Sequence, residues 1–355
     1  MSKSIEQVDS NFKVTQLGAH TDVMFHDVLT APFHVYGLMR DEVEGCFVRL
    51  PIATANATNE GVAELVYHLA GGRVRFATDS PYVAINASMH HIGKMPHFAL
   101  SGSAGFDLYY EEDDAPRYGG TFMPPFTIET GYTSLIELPQ PRTMREVTIH
   151  FPLYSGVKSL QIGLAAGSTV QALRPYTTEK PVVYYGSSIT QGGCASRPGN
   201  AYQNIISRRL DVDHINLGFS GSARGEDVMA DYIAGLEMSV FVLDYDHNAP
   251  SAAHLAATHE RMFLRVREQH PDLPVIMVSR PKVHLNEEER ERLAIIRTTY
   301  ERALARGDKA VAFIDGSQLL TRFGGEDGTV DNAHPTDLGF MCMAEGIGEE
   351  LKKWL

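Results

Sequence analysis

The chain has 355 residues, with 31 Lys and Arg against 44 Asp and Glu, and so a formal charge of −13. At roughly 150 residues per domain this length suggests two domains, with ample material for a large core. An acidic chain with no cluster of Lys and Arg excludes a role built on gripping phosphate backbones or an anionic membrane surface. The densest charged run, Glu287 to Arg292, mixes both signs.

The cysteines Cys46, Cys194 and Cys342 are far apart and form no CxxC pair. This excludes a disulfide scaffold and a zinc ribbon, and it fits a reducing compartment. The opening stretch Met1 to Asp9 is polar, and no apolar run reaches the ~18 residues of a membrane span. Neither a secretory leader nor a transmembrane segment is expected, and the expected location is cytoplasmic.

From about Thr15 to Gln171 the chain reads as short strands between turn signals. Arg73 to Thr78, Tyr82 to Ala87, Arg145 to Phe151 and Ser159 to Leu164 alternate apolar and polar residues. Gly71-Gly72, Asp79-Ser-Pro81 and Thr130-Gly131 punctuate them. Such period-2 segments predict a β-sandwich of jelly-roll type, and no long helical pattern stands in this half.

After Leu173-Arg-Pro175 the texture changes. Apolar runs at Val182 to Tyr185, His214 to Asn216, Val240 to Asp244, Val275 to Val278 and Val311 to Asp315 alternate with amphipathic segments. The helix candidates are Ala201 to Leu210, Asp227 to Gly235, Ala252 to Gln269, Glu287 to Arg306 and Leu338 to Leu355. Strand-helix alternation with continuously apolar strands predicts a three-layer α/β/α domain around a parallel sheet. The expected division is residues 1–174 and 175–355. Sites in such sheets lie beyond the carboxyl ends of the strands.

Four strand ends carry polar groups. The first is Gly186 to Gly193, which holds Ser187 and Ser188. It reads as an ordinary strand-to-helix loop with a Ser cap, as a phosphate cradle, or as a seat for a nucleophilic serine. The cradle reading lacks the Lys of a Walker loop, and the dinucleotide fingerprint is not matched either. The second end, Asn216 to Gly221, offers glycines that let backbone approach a ligand. The third, Asp244 to Asn248, offers an amide donor and His247. After the last strand come Asp331 and His334, a spacing at which a carboxylate can hold Nδ1–H and leave Nε2 as a base. Singly, each pattern is also an ordinary turn or cap.

In that order, Ser, Gly, Asn and Asp-x-x-His resemble the four blocks of the SGNH (GDSL-type) hydrolase superfamily. The resemblance covers roughly residues 180–355. The family's Gly-Asp-Ser stands here as Gly186-Ser187-Ser188, and the Gly-x-Asn block is degenerate around Asn248. Gly105-Phe-Asp-Leu-Tyr109 is similar to the GxDLY motif of a β-sandwich domain that precedes some SGNH domains, and Gly192 to Pro198 resembles the same two-domain subgroup. Many members of the wider group are bacterial carbohydrate acetylesterases, and a few are acyltransferases.

The resemblance implies Ser188 as nucleophile, His334 as base and Asp331 as its orienting carboxylate. It implies an oxyanion hole of the Ser188 N–H, the Gly221 N–H, with Gly218 as a neighbouring candidate, and the Asn248 side chain. Removal of O-acetyl groups from carbohydrate is the expected activity. An acyltransferase and a non-catalytic sugar-binding protein are the alternatives. Substrate contacts are expected from His247, Cys194, Arg197 and Tyr109, with Arg197 also able to tie the domains together. Tyr110 and Trp354 are further aromatic candidates, with core packing or capping the favoured reading for Trp354, and Asp107 is expected to be structural. His90, His91 and His97 match no zinc spacing and read as surface histidines. No metal and no cofactor are expected. The expected partner is a small-molecule or oligosaccharide substrate, with no nucleic acid and no membrane, and homo-oligomerisation is left open.

Overall fold

A computed structural model describes residues 5–9, 17–18, 20–113, 115–323 and 325–355. Much of the polar opening stretch, and the start of the strand-rich region at Thr15, lie outside them.

The first half is built mainly from two antiparallel sheets, beside the two-stranded pair Met39–Asp41 and Cys46–Val48. One orders the strands Val23–Asp27, Gly156–Ala165, Tyr82–His91 and Gly131–Glu137. The other orders Val170–Gln171, Arg73–Thr78, Arg145–His150, Phe106–Glu112 and Ala115–Phe122, with His34–Tyr36 also paired to Arg73–Thr78. Their alternating faces meet in one core that includes Val74, Phe76, Val83, Ile85, Phe106, Leu108, Ile149 and Ile162.

The second half is a five-stranded parallel sheet. Its order is His214–Gly218, Val182–Gly186, Val240–Asp244, Val275–Val278 and Val311–Ile314. The first three strands in space are thus the second, first and third in sequence. The topological switch lies between Val182–Gly186 and Val240–Asp244, where the crevice of an open α/β sheet forms. The predicted helices form as Tyr202–Leu210, Asp227–Ala234, Ala252–Gln269, Glu287–Ala305 and Asp337–Leu351. Their starts follow capping chemistry. Ser251 accepts from the His254 N–H, and Asn286 with Glu289 closes a capping box.

Two short helices, Ile52–Thr58 and Glu60–Leu65, stand in the half that was expected to be all strand. Together they span under four turns, too short for helical periodicity to rise above the surrounding pattern. They do not pack on the sandwich core. Ala55, Val62 and Val66 join Val183, Leu217, Phe219 and Met229 in the core beneath the parallel sheet. The Asn59 side chain caps the second helix by accepting from the Val62 N–H (2.9 Å) and donates to Ser222 O (3.0 Å) and Glu226 Oε1 (2.6 Å). Part of the first half therefore covers one face of the second. Among the described residues no helix is long and apolar enough to cross a membrane.

Candidate active site

Ser188 stands immediately beyond Val182–Gly186, as the first residue of the one-turn helix Ser188–Gln191. Ser187, in the place of the expected Asp, caps that turn by accepting from the Ile189 N–H, and Gly192 ends it at φ +93°. Gly186 lets the turn sit tightly on the neighbouring strand: a Cβ there would lie 2.1 Å from Asp244 O and 2.0 Å from Thr190 Oγ1.

The loop that carries His334 folds over this turn. Ser188 Oγ lies 3.0 Å from His334 Nε2, and His334 Nδ1 lies 2.8 Å from Asp331 Oδ2. The other oxygen of Asp331 accepts from the backbone N–H groups of His334 (2.8 Å) and Ala333 (3.2 Å). Burial alone would raise the Asp331 pKa, but these bonds and the imidazole hold it below the usual carboxylate range. A carboxylate anchored on one oxygen fixes the tautomer of the ring that it touches with the other. Three of the expected residues are thereby brought into one hydrogen-bonded line.

The expected oxyanion donors sit on the neighbouring strand ends. Among the described residues neither the Ser188 N–H nor the Gly221 N–H donates a hydrogen bond. Gly221 holds φ +68°, and a Cβ there would meet nothing within 4 Å, so backbone conformation and not space asks for glycine. Gly218 has a different duty: a Cβ would lie 2.2 Å from Gln191 N, which makes it a packing glycine under the Ser188 turn. Asn248 ends the 3-10 turn Asp246–Asn248, and its Oδ1 is buried without a partner. His247 Nε2 is likewise buried without a partner. Burial, then the Arg280 charge and then His334, holds its ring well below the ordinary histidine pKa and so neutral.

A chain of side chains holds the Gly221 loop against the Ser188 turn. Gln191 Oε1 accepts from the Ser220 N–H (3.0 Å), and Asn216 Nδ2 and Gln203 Nε2 both donate to Thr190 O (2.7 Å each). From the first half, Arg49 reaches under the same loop. It donates to Asn216 O (3.2 Å), Gly218 O (2.5 Å) and Leu65 O (2.8 Å), with its guanidinium 4.4 Å from the Phe219 ring centre. Burial pushes its pKa down to about 9.

Three further residues of the first half reach the site, and sequence reasoning did not place them there. Tyr154 donates from its hydroxyl to Ser188 O (3.2 Å). Gln191 Nε2 donates to His68 Nδ1 (3.2 Å). His97 lies with its ring centre 6.0 Å from that of His334. This corrects the reading of His90, His91 and His97 as one surface cluster. His90 stacks on Tyr67 and His91 packs against His68, while His97 stands apart, beside His334. Cys194 is beside it: atoms of His97, Cys194 and His334 lie within 4.8 Å of one another. A Cys directly after a Gly-Gly turn was a signal; a lone His in an irregular loop was not.

Tyr109 and Arg197, named as possible substrate contacts, lie in a seam between the halves, the other role expected of Arg197. Asp107, fully buried, accepts from Arg197 Nη1 (2.8 Å), the Gly199 N–H (2.8 Å) and His150 Nδ1 (2.8 Å). Arg197 also donates to the Tyr109 hydroxyl (2.6 Å), and Arg208 lies 3.8 Å from the centre of that ring. Asp107 and Tyr109 share one face of Phe106–Glu112, while Phe106, Leu108 and Tyr110 face the sandwich core. The motif is therefore the edge of an interdomain seam. Gly199 permits it, because a Cβ there would lie 2.5 Å from Asp107 Oδ2. Trp354 packs on the core of the second half, its indole N–H donating to Glu350 Oε1 (3.2 Å), so it is no platform for sugar.

Comparison with known proteins follows these two halves. Residues 179–352 match the GDSL-like lipase/acylhydrolase family, and residues 23–170 match GxDLY, the N-terminus of SGNH-type esterases. No curated protein matches the chain. Among solved structures, a GDSL-like lipase by name from Bacteroides ovatus is 26% identical, with a TM-score of 0.83 over 93% of this chain and 97% of that one. A salicylyl-acyltransferase of a tetracycline biosynthetic pathway shares the fold at 18% identity and TM-score 0.74, over 94% and 98% of the two chains. An acetyl xylan esterase from the rumen bacterium Butyrivibrio proteoclasticus does so at 11% and 0.57, over 94% and 100%. Residues 179–352 are accordingly a domain of the GDSL-like lipase/acylhydrolase family, preceded in residues 23–170 by the GxDLY domain of SGNH-type esterases.

Proposed function

We propose that this protein is a serine esterase that removes O-acetyl groups from carbohydrate through a covalent acyl-enzyme. The observation that carries the reading is the unbroken line Ser188 Oγ, His334 Nε2, His334 Nδ1, Asp331 Oδ2 at 3.0 and 2.8 Å. Ser188 Oγ attacks the ester carbonyl while its proton passes to His334 Nε2. Asp331 stabilises the imidazolium through Nδ1–H. The tetrahedral oxyanion is met by the Ser188 and Gly221 N–H groups and by the Asn248 amide. Each such donor is worth about 2.7–4 kcal/mol of barrier. His334 then gives its proton to the departing sugar oxygen as the C–O bond breaks. Water repeats the sequence on the acyl-enzyme, releasing acetate and restoring Ser188.

The chain's acidity suits a neutral substrate, and carbohydrate esterases are among the proteins that share its fold. The acyltransferase that shares it more closely supports a second reading, in which an alcohol and not water accepts the acyl group. Adding acceptor alcohols during turnover and measuring ester against acetate separates the two. The primary test is Ser188→Ala, which is expected to reduce hydrolysis of 4-nitrophenyl acetate and of acetylated xylo-oligosaccharides by roughly 10⁴–10⁶-fold at unchanged melting temperature. Parental turnover in that variant would end the proposal.

A further inference from the structure

The first half places a histidine where the second half already has a thiol and the imidazole base. His97 comes from an exposed turn pinned by the Met95–Phe98 bridge, with Phe98 packed edge-on to Tyr154 at 5.1 Å. Cys194 is only 8% exposed and is held at φ +76° just past the Gly192-Gly193 turn. His334 comes from the last loop. One nitrogen or sulfur from each of the three lies within 4.8 Å of the other two.

Two imidazoles and a thiol are the donor set of borderline-soft divalent cations, above all Zn²⁺. Zinc bonds of about 2.0–2.3 Å at tetrahedral angles place ligand atoms about 3.3–3.6 Å apart. Their separations therefore exceed that spacing by at most about 1.5 Å, and the exposed His97 side chain is free to close it. The second shell is present as well. Asp331 Oδ2 holds His334 Nδ1 at 2.8 Å, the carboxylate–histidine arrangement that presents Nε2 to a metal. That nitrogen is also the one that faces Ser188 Oγ.

We infer that His97, Cys194 and His334 form an inhibitory site for a divalent cation of the Zn²⁺ class, which on binding takes the His334 lone pair away from Ser188. The inhibitory effect rests on the reading of His334 as the base; the binding site does not. Binding exchanges the Cys194 S–H bond for an S–metal bond and releases the proton to solvent, with no change of oxidation state. Removal of the cation by a chelator restores the hydroxyl–imidazole pair.

The test uses the full chain freed of metal by chelation. Zinc chloride is titrated with calorimetry, and 4-nitrophenyl acetate hydrolysis is followed over the same concentrations. Cobalt(II) is added separately to read a thiolate-to-metal charge-transfer band. The expected result is one ion per chain, a rate that falls with occupancy, and recovery on adding EDTA. His97→Ala and Cys194→Ser should each weaken zinc binding by at least about 10–100-fold, with inhibition scored as the ratio of rates with and without zinc within each variant. Ser188→Ala should bind zinc as the parent does. Parental zinc affinity in both folded variants, or a cobalt complex without the thiolate band, would overturn the site. A parent that binds zinc through these residues yet hydrolyses no ester would keep the site and refute the esterase reading instead.

Discussion

Two of the seams that join the two halves of the molecule solve the burial of charge in opposite ways. At the GxDLY seam a fully buried carboxylate, Asp107, meets Arg197, with Arg208 close by. Burial would raise its pKa, but His150 first, then Arg197 and Arg208, pull it below the ordinary value, so it stays ionised. At the other seam Arg49 is buried with three backbone carbonyls and an aromatic face, and no carboxylate among the described residues touches it. The first arrangement is a paired ion whose strength lies in its charges. The second trades charge pairing for geometry: Arg49 fixes the carbonyls of the Asn216–Gly218 stretch that leads to the Gly221 N–H. The difference suggests that one seam holds the domains together and the other shapes the site.

Asp107→Asn tests the first half of this contrast and carries the largest expected effect. It preserves shape but leaves two arginines without their anion, which typically costs about 3–5 kcal/mol. Urea unfolding should show that loss, while esterase activity per folded molecule stays within about twofold of the parent. A variant as stable as the parent would show that the seam is not held by charge.

What the sequence reveals divides along the same line. The parallel strands are continuously apolar and their helices long, so Val240–Asp244, Val275–Val278 and Ala252–Gln269 fall where periodicity puts them. Asp331 and His334 were legible from their spacing, and Ser188 only through the resemblance of its loop to a family block; the structure brings the three into hydrogen-bond contact. Arg49, Tyr154 and His97 were not. Each lies outside any periodic run, and each acquires its meaning only when an irregular stretch of the first half folds onto the second. The helices Ile52–Thr58 and Glu60–Leu65 were missed for a related reason, since their apolar residues face a core that lies in the other half. Asp107 and Tyr109 were visible as a motif, but their partners Arg197 and Gly199 lie about 90 positions away, beyond the reach of local pattern.

Arg49→Met sharpens the second half of the contrast, with a smaller effect on stability. Three hydrogen bonds from a cation are lost, but so is the cost of burying a charge without a counter-ion, and the net change is expected near ~2 kcal/mol. Activity should fall more than stability. Release of the Asn216 and Gly218 carbonyls lets the Gly221 N–H move off the oxyanion, and loss of part of one such donor lowers kcat by about 10–100-fold with little change in KM. A fall in stability with kcat unchanged would make both seams simple fasteners.

The smallest effect is a slope, and it compares a histidine at the seam with one inside the second half. His68 accepts from Gln191 between the halves, and burial first, then His91, pushes its pKa down to about 2. His259 is buried against Thr299 (3.0 Å) and Tyr245, and burial pushes it down to about 4. Both folded values lie below the unfolded value of about 6.5. Below that pH the unfolded chain binds a proton that the folded chain refuses, so stability is complete above about pH 6.5 and falls as the pH drops. Each ring contributes up to about 1.4 kcal/mol per pH unit, His259 until about pH 4 and His68 on toward about pH 2. Unfolding free energies of the parent at pH 7.5, 6.0 and 5.0 should therefore decline. Between pH 6.0 and 5.0, His259→Gln should flatten the decline by about one proton, and His68→Gln by the same amount. Only the His68 variant should also lower the rate, because Gln191 ties that ring to the turn carrying Ser188. Equal slopes in parent and variants would show that neither ring enters the folded state deprotonated.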